Sequence, residues 1–464
     1  MIEFKNIEGI YFAGIGGIGM SALALYFAKG GFVIAGYDRS ESIITRRLAG
    51  AGCDITYDDE INNLPDLFRN TPDKSKVLIV YTPAIPAENR ILSFFRENGY
   101  TLYKRSEILG AISSKTDTLA VAGTHGKTTV STMIAHLLKQ SHVDCSAFLG
   151  GISKNYDSNL LTGEGRFTVM EADEFDRSFL RLSPLMAVVT SLDADHLDIY
   201  GDHRSMIAAY NEFCKKIRKG GVLVLNRKII SEIVVPDGVT CFTYGTDPDS
   251  DFQCTDIKHQ TDYYSFNIKT PGGIIKDLHF PFPGIINIEN LTAAVTIALQ
   301  CGVTEEEMRR AIVLFQGVKR RFDIRINSPG LAYIDDYAHH PEEIKACITS
   351  VREYFRGRRI TGIFQPHLFS RTRDHADGFA ASLDELDEVI LLPVYPAREK
   401  PIEGVTSELI YRKMKSAGKR LLNMEDIPGK LNVKGLDVLV TIGAGDIDKL
   451  VSPIEEKIKR ERLI

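Results

Sequence analysis

Ala120-Val-Ala-Gly-Thr-His-Gly-Lys-Thr-Thr-Val130 joins an apolar run, Thr118–Ala122, to a segment in which Met133, Ile134, Leu137 and Leu138 recur at helical spacing. The run has the length of a buried strand, so Gly123–Thr128 is the turn between strand and helix. A phosphate fits such a turn. Successive backbone N–H groups and the positive end of the following helix attract an anion, and Gly126 lets the backbone approach closely. Lys127 reaches the outer phosphates, and the Thr128 hydroxyl is a ligand for Mg²⁺. The stretch therefore predicts a nucleoside triphosphate site built from Gly123, Thr124, His125, Gly126, Lys127, Thr128 and Thr129. It departs from the strict phosphate-loop pattern at Val121, where that pattern has glycine, and carries Gly123 inside the loop instead.

The 464 residues exceed one ordinary core and suggest three domains of modest size. Hydrophobic residues at 44% and charged residues at 25% give the balance of a soluble globular protein, and a net charge of −5 argues against a nucleic-acid surface. The 7 cysteines are odd in number and include no Cys-x-x-Cys pair, which speaks against a disulfide framework and a thiolate zinc site. The N-terminus opens directly into an apolar run without a basic segment and cleavage site, and no apolar run reaches membrane-spanning length. A cytoplasmic enzyme without a membrane partner is expected.

Upstream, Gly9–Ala13 reads as a strand, Gly14-Ile-Gly-Gly-Ile-Gly19 as a turn and Met20–Ala28 as a helix. This is the Gly-x-Gly-x-x-Gly arrangement of a dinucleotide-binding unit. The next strand, Phe32–Tyr37, ends at Asp38, a place that reads either as the ribose ligand of NAD or as the edge of any nucleotide-diphosphate site. Val77–Tyr81 is another strand, and Lys104 and Arg105 precede a helix where they either meet phosphate or are solvated.

Downstream, the apolar strand Phe167–Met170 delivers Glu171-Ala-Asp-Glu174 beside the phosphate loop, where carboxylates suit Mg²⁺. Met186–Leu192 delivers Asp193-Ala-Asp-His-Leu-Asp198, in which His196 can hold a metal among aspartates. Cys241–Phe282 alternates in short segments and reads as an antiparallel appendage. Pro283–Asn290 opens a helix with Asn287 and Asn290 on one face, able to read a base edge or to cap the helix. Gly317-Val-Lys-Arg-Arg-Phe322 is a basic link and, with a second link near residue 110, a candidate hinge. Beyond it, four strands end in polar loops: Asp335–Pro341, Gln365–Arg371, Pro393–Arg398 and Gly443–Asp446. That is the edge at which open α/β sheets bind ligands.

Taken together, these motifs resemble the Mur ligases of peptidoglycan synthesis, and the resemblance covers essentially the whole chain. It implies an α/β fold of three domains: a Rossmann-like UDP-sugar domain over 1–110, a central P-loop ATPase domain over 111–322 and a Rossmann-like amino-acid domain over 323–464. It implies a UDP-sugar, UDP-N-acetylmuramate, at Gly14, Gly16, Gly17 and Gly19, with Asp38 near the uridine. ATP would meet Lys127 through its β- and γ-phosphates, Asn290 through adenine, Asp336 through ribose and Arg320 or Arg321 through the γ-phosphate. Thr128 and Glu171 would hold one Mg²⁺ and His196 a second, with Mn²⁺ an alternative metal; Lys127, Glu171, His196 and Arg321 would carry the catalysis. Tyr337, His339 and Arg371 would surround the amino acid. The first loop, Phe364–His367 and Gly443–Ile447 look like the branch that adds L-alanine, against a sibling branch that adds a whole tripeptide. The chain departs from the family at Ile286, where His is frequent, and at Leu368, where a basic residue is common. A monomer or homodimer acting on small molecules is the expected form.

Overall fold

The computed structural model describes residues 2–86, 88–194, 197–260, 263–397 and 399–462. The strand Gly9–Ala13 is buried along its whole length, as a strand covered on both faces must be. It lies at the centre of a five-stranded sheet in the order Asp54–Thr56, Val33–Tyr37, Gly9–Ala13, Val77–Tyr81, Leu102–Lys104, all neighbours parallel. Strand order reverses beside Gly9–Ala13, so the glycine turn that follows it opens at the topological switch point.

Asp117–Ala122 lies inside a ten-stranded sheet, flanked by Phe167–Glu171 on one side and Met186–Val189 on the other, both parallel to it. Registers of Val121 with Glu171 and Ala122 with Val189 bring the ends of all three strands to one edge. The phosphate loop, the Glu171 segment and the segment after Val189 therefore emerge side by side. A strand pair absent from the sequence reading, Cys145–Ser153 with Ser158–Leu161, extends this sheet beyond Phe167–Glu171. The stretch read as an antiparallel appendage begins differently. Thr240–Gly245 pairs in parallel with Val222–Asn226 and continues the central sheet, because the link 227–239 is long enough for a crossover that alternation alone cannot reveal.

The third sheet runs Asp323–Asn327, Ala332–Asp336, Val438–Ile442, Ile360–Phe364, Glu388–Leu391, Lys419–Leu421, with only its first pair antiparallel.

Residues 1–258, 265–280 and 289–316 form one compact unit; 259–264, 281–288 and 317–464 form another. In the first unit, one core runs from Ile10 and Phe12 of the five-stranded sheet and Phe27 of the helix Ile18–Lys29 through Phe148 and Met170 of the larger sheet to Phe213 of the helix His203–Cys214. The expected hinge near residue 110 is not a free link. It falls within the helix Arg105–Ser113, whose Ile108, Leu109 and Ile112 are buried in that shared core. The second unit has its own core around Tyr333, Ile363, Leu439 and Ile454.

Candidate active site

Gly123 leaves the central strand with φ +130°, and a Cβ there would stand 2.0 Å from Thr190 Oγ1, so the turn requires glycine. The end of the neighbouring strand then staples the loop. Thr124 N–H donates to Ser191 O at 3.2 Å, His125 N–H to Ser191 Oγ at 2.9 Å, and Asp193 N–H to Thr124 Oγ1 at 3.0 Å. His125 Nε2 lies 3.6 Å from Asp193 Oδ2. Gly126, at φ +81°, is the N-cap of the helix Lys127–Lys139. The first N–H groups of a helix have no partner within it and, with the helix dipole, make an anion site. Asn290 is buried, and its Oδ1 stands 3.0 Å from the position a Cβ on Gly126 would take, so its amide packs on the loop itself.

Lys127 points into this turn. Its Nζ donates to Gly123 O at 2.7 Å and to Glu174 Oε1 at 2.8 Å. Burial alone lowers its pKa, but Glu174, Asp173 and Glu171 outweigh that and hold the ammonium above the usual lysine value. It is a fixed positive charge at the mouth of the loop.

Thr128 Oγ1 donates to Glu171 Oε2 at 2.8 Å. Two oxygens in adjacent positions of an octahedral Mg²⁺ shell, each 2.0–2.1 Å from the ion, stand about 2.9 Å apart, so this pair fits the ion's geometry. Among the described residues no group of three or more His, Cys, Asp and Glu is arranged to hold a metal. The protein thus offers a two-oxygen edge to a hard cation, of the kind Mg²⁺ uses when substrate phosphates and water complete its shell. His196 lies outside the described residues.

From Glu171 a cavity of about 600 Å³ extends to the glycine turn of the first sheet, lined by Gly14, Gly16, Gly17, Gly19, Asp38, Arg105, Gly150 and Asp173. Its size is that of a small-molecule pocket. Asp38 lines it but also acts as a clamp, accepting Gly16 N–H and Arg39 N–H, each at 2.7 Å. Arg105 lies across Gly19, where a Cβ would come within 2.3 Å of its Nη1, and its Nη2 is 3.4 Å from Asp173 Oδ2. A guanidinium over a glycine-lined turn is a ready partner for a diphosphate.

The second unit gathers another set. Arg320 and Arg321 lie over the Tyr337 ring at 5.2 and 5.0 Å. Arg320 also donates to Asp335 at 3.2 Å and to Gly443 O at 2.6 Å. Both oxygens of Asp336 accept backbone N–H groups, from Phe322 at 2.6 Å and Ala338 at 2.7 Å. Burial raises the Asp336 carboxyl to about 6, against the pull of Arg321 and these two donors. His339 N–H donates to Glu343 at 3.0 Å, and its ring lies 6.0 Å from that of His367. Burial, with Arg371 and Arg321 nearby, depresses its pKa against the pull of Glu343 and Tyr337 O, so the imidazole is neutral at pH 7. Arg371 is carried on the helix Phe369–Asp374, whose N-cap Leu368 has φ +69°, a strained value for a branched residue. The side-chain amide of Asn287 donates to Pro283 O at 2.5 Å, four positions back, which braces the start of that helix but is not the capping bond the sequence suggested.

Comparison with known families decides the lineage. Three family models match in chain order: Mur ligase family, catalytic domain over residues 9–116, Mur ligase middle domain over 121–298, and Mur ligase, glutamate ligase domain over 320–445. The chain belongs to the Mur ligase family. A UDP-N-acetylmuramate–L-alanine ligase of Porphyromonas gingivalis is 47% identical over 98% of this chain and 99% of its own. One of Phocaeicola vulgatus is 45% identical over 98% of both chains. Among solved structures, the UDP-N-acetylmuramate-alanine ligase MurC of Thermotoga maritima aligns with a TM-score of 0.81 at 26% identity, covering 98% of this chain and 99% of that one. A murein peptide ligase of Psychrobacter arcticus has the same fold, with a TM-score of 0.71 at 20% identity and coverage of 97% and 98%.

Within this Mur ligase, Glu174, read in the sequence among carboxylates suited to Mg²⁺, holds Lys127 instead. Two residues the sequence reading passed over also belong to the site: Ser191 staples the loop, and Gly150 makes room for Glu171. A signal for the last was present: paired glycines, Gly150 and Gly151, inside a strand mark close approach of another group. No local signal distinguishes Glu174 from Glu171, since both follow the same strand end.

Proposed function

We propose that this Mur ligase joins L-alanine to the lactyl carboxylate of UDP-N-acetylmuramate, consuming ATP and releasing ADP and phosphate, in cytoplasmic peptidoglycan precursor synthesis. The observation that carries the reading is the cavity that starts at the first glycine turn and ends at Glu171, itself hydrogen-bonded to Thr128 of the phosphate loop. A nucleotide-sugar pocket that ends on a triphosphate loop brings a carboxylate to a phosphoryl donor. Relatives that are 42–47% identical over nearly their whole length carry the name UDP-N-acetylmuramate–L-alanine ligase, which favours alanine over the tripeptide branch.

The chemistry follows from the groups present. A carboxylate is inert to an amine at neutral pH and must first become an acyl phosphate. Lys127 and the first-turn N–H groups stabilise charge spread over the transferred phosphoryl group. Mg²⁺ held by Thr128 and Glu171, with His196 at a second ion, would neutralise the phosphates and polarise the phosphoryl oxygens. The alanine amine then attacks the acyl carbon, and collapse of the tetrahedral intermediate expels phosphate and leaves the amide. Arg105, Gly14, Gly16, Gly17 and Gly19 are assigned to the diphosphate, with Asp38 shaping that turn and lying near the uridine, and Asn290 to the adenine. In the second unit Arg320 and Arg321 are assigned to the γ-phosphate, Asp336 to the ribose, and Tyr337, His339 and Arg371 to the amino acid. The sugar-nucleotide, ATP and amino-acid roles are assigned mainly to 1–110, 111–322 and 323–464, with Asp336 of the last segment lending a contact to ATP.

Incubation with UDP-N-acetylmuramate, ATP, Mg²⁺ and L-alanine is expected to yield a sugar nucleotide heavier by one alanine residue, read by mass spectrometry. Unchanged substrate under those conditions contradicts the proposal.

A further inference from the structure

Taking the triphosphate reading of the loop as the basis, we infer that Glu174 is a positioning residue that keeps the Lys127 ammonium in place for the transferred phosphoryl group. The carboxylate is almost wholly enclosed, 1% exposed against 14% for Lys127, and both its oxygens stand 2.8 Å from Nζ. A carboxylate so buried stays charged only beside a cation, and the cation placed on it is Lys127. Lysine is otherwise a flexible four-carbon stem with three rotatable donors. Here one proton goes to Gly123 O at 2.7 Å and one to Glu174, while the remaining direction meets only the long 3.4 Å contact with Thr124 O. That third donor is the one a phosphate oxygen can take without the side chain rotating.

The backbone of Glu174 is fixed just as firmly. Its carbonyl accepts the Tyr200 hydroxyl at 2.6 Å and Arg177 N–H at 2.9 Å. Asp176 and Arg177 that follow are both left-handed, at φ 54°, a strained pair that persists only where its surroundings over-determine it. Lys104 reaches Asp176 at 2.6 Å and pins the turn from outside. These contacts fix the backbone from which the Glu174 carboxylate reaches Lys127.

Two consequences separate positioning from ordinary binding. Glu174 competes with phosphate for the ammonium, so its removal does not weaken ground-state capture of ATP. What is lost is the fixed direction of the third donor, and that loss appears in the chemical step.

The test is steady-state turnover of E174Q and E174D beside the wild type, with thermal melting as the control for folding. E174D stays charged and retracts the carboxylate by one methylene, which keeps the test usable if the neutral variant folds poorly. For both, kcat is expected to fall tenfold or more with KM for ATP no higher than wild type. E174Q added to K127M is expected to cost less than E174Q alone costs the wild type, because the part of its action that passes through that lysine is already lost. Wild-type kcat in either variant, a raised KM for ATP at unchanged kcat, or losses that multiply in the double variant would overturn the inference. A wild-type protein without alanine-dependent turnover is a different failure, that of the proposed function itself.

Discussion

A Cβ built on Gly150 would stand 2.1 Å from Oε2 of Glu171 and 2.7 Å from its Oε1. Gly150 does not have a positive φ, so alanine is acceptable to the backbone and the clash falls on the carboxylate alone. Gly150→Ala is therefore expected to fold normally and to push Glu171 off Thr128. Turnover should drop at least tenfold at fixed Mg²⁺ and recover partly as Mg²⁺ is raised; a Mg²⁺ titration of wild type against variant reads this directly. An unchanged titration curve would separate Glu171 from the metal.

Arg105 contacts the glycine turn and Asp173 across the cavity of the first unit. A hydrogen bond to a charged group contributes about 1.5–3 kcal/mol, which corresponds to a ten- to hundredfold change in binding. Arg105→Met is expected to raise KM for UDP-N-acetylmuramate by about that factor and to leave KM for ATP near wild type. Equal rises for both substrates would move Arg105 out of the sugar-nucleotide pocket.

The buried Lys127–Glu174 pair also predicts a stability pattern. Lys127→Met takes the Lys127 cation away from a carboxylate 1% exposed, a change that costs about 3 kcal/mol or more. Adding Glu174→Gln removes the stranded charge, so K127M/E174Q should melt higher than K127M. A double variant that melts lower than K127M would show that Glu174 has another charge partner.

Asp336 gives a pH dependence whose sign can be worked out. Its carboxyl is raised from 3.8 to about 6 in the folded chain, mainly by burial. The native state therefore binds this proton more tightly than the unfolded chain, and the stabilisation is complete below about pH 4 and lost as pH rises through about 6. The full swing is about 3 kcal/mol. Asp336→Asn abolishes it while giving up one acceptor for the Phe322 or Ala338 N–H, a loss independent of pH. Urea midpoints of variant and wild type should thus shift in the variant's favour between pH 4 and 7. A constant difference across that range would mean that Asp336 titrates normally.

The readable parts of this chain were those in which one contiguous stretch constrains its own backbone. Gly126-Lys-Thr128 after an apolar run defines a phosphate turn without help from the rest of the molecule, and fully buried parallel strands such as Gly9–Ala13 and Val222–Asn226 stand out as unbroken apolar runs. The pairings that complete the site are of another kind. Lys127 meets Glu174 across 47 positions, and Thr124 meets Ser191 across 67, because Asp117–Ala122 sits between two later strands. Strand order is a property of the whole sheet. Asp38 and Asp336 illustrate the same limit: their place at strand ends was legible, yet their carboxylates accept backbone N–H groups 22 and 14 positions away. The link near 110 looked free in sequence because the helix Arg105–Ser113 buries Ile108, Leu109 and Ile112 in a core shared with residues far along the chain, which no local pattern announces.

Phosphate release in the presence of ATP, Mg²⁺ and UDP-N-acetylmuramate, with L-alanine supplied in one reaction and the L-Ala-γ-D-Glu-diaminopimelate tripeptide in another, tests the central claim most directly. Release that requires both the sugar nucleotide and L-alanine, and is weak or absent with the tripeptide, is the predicted result. Release with the tripeptide alone, or release indifferent to either acceptor, would contradict it.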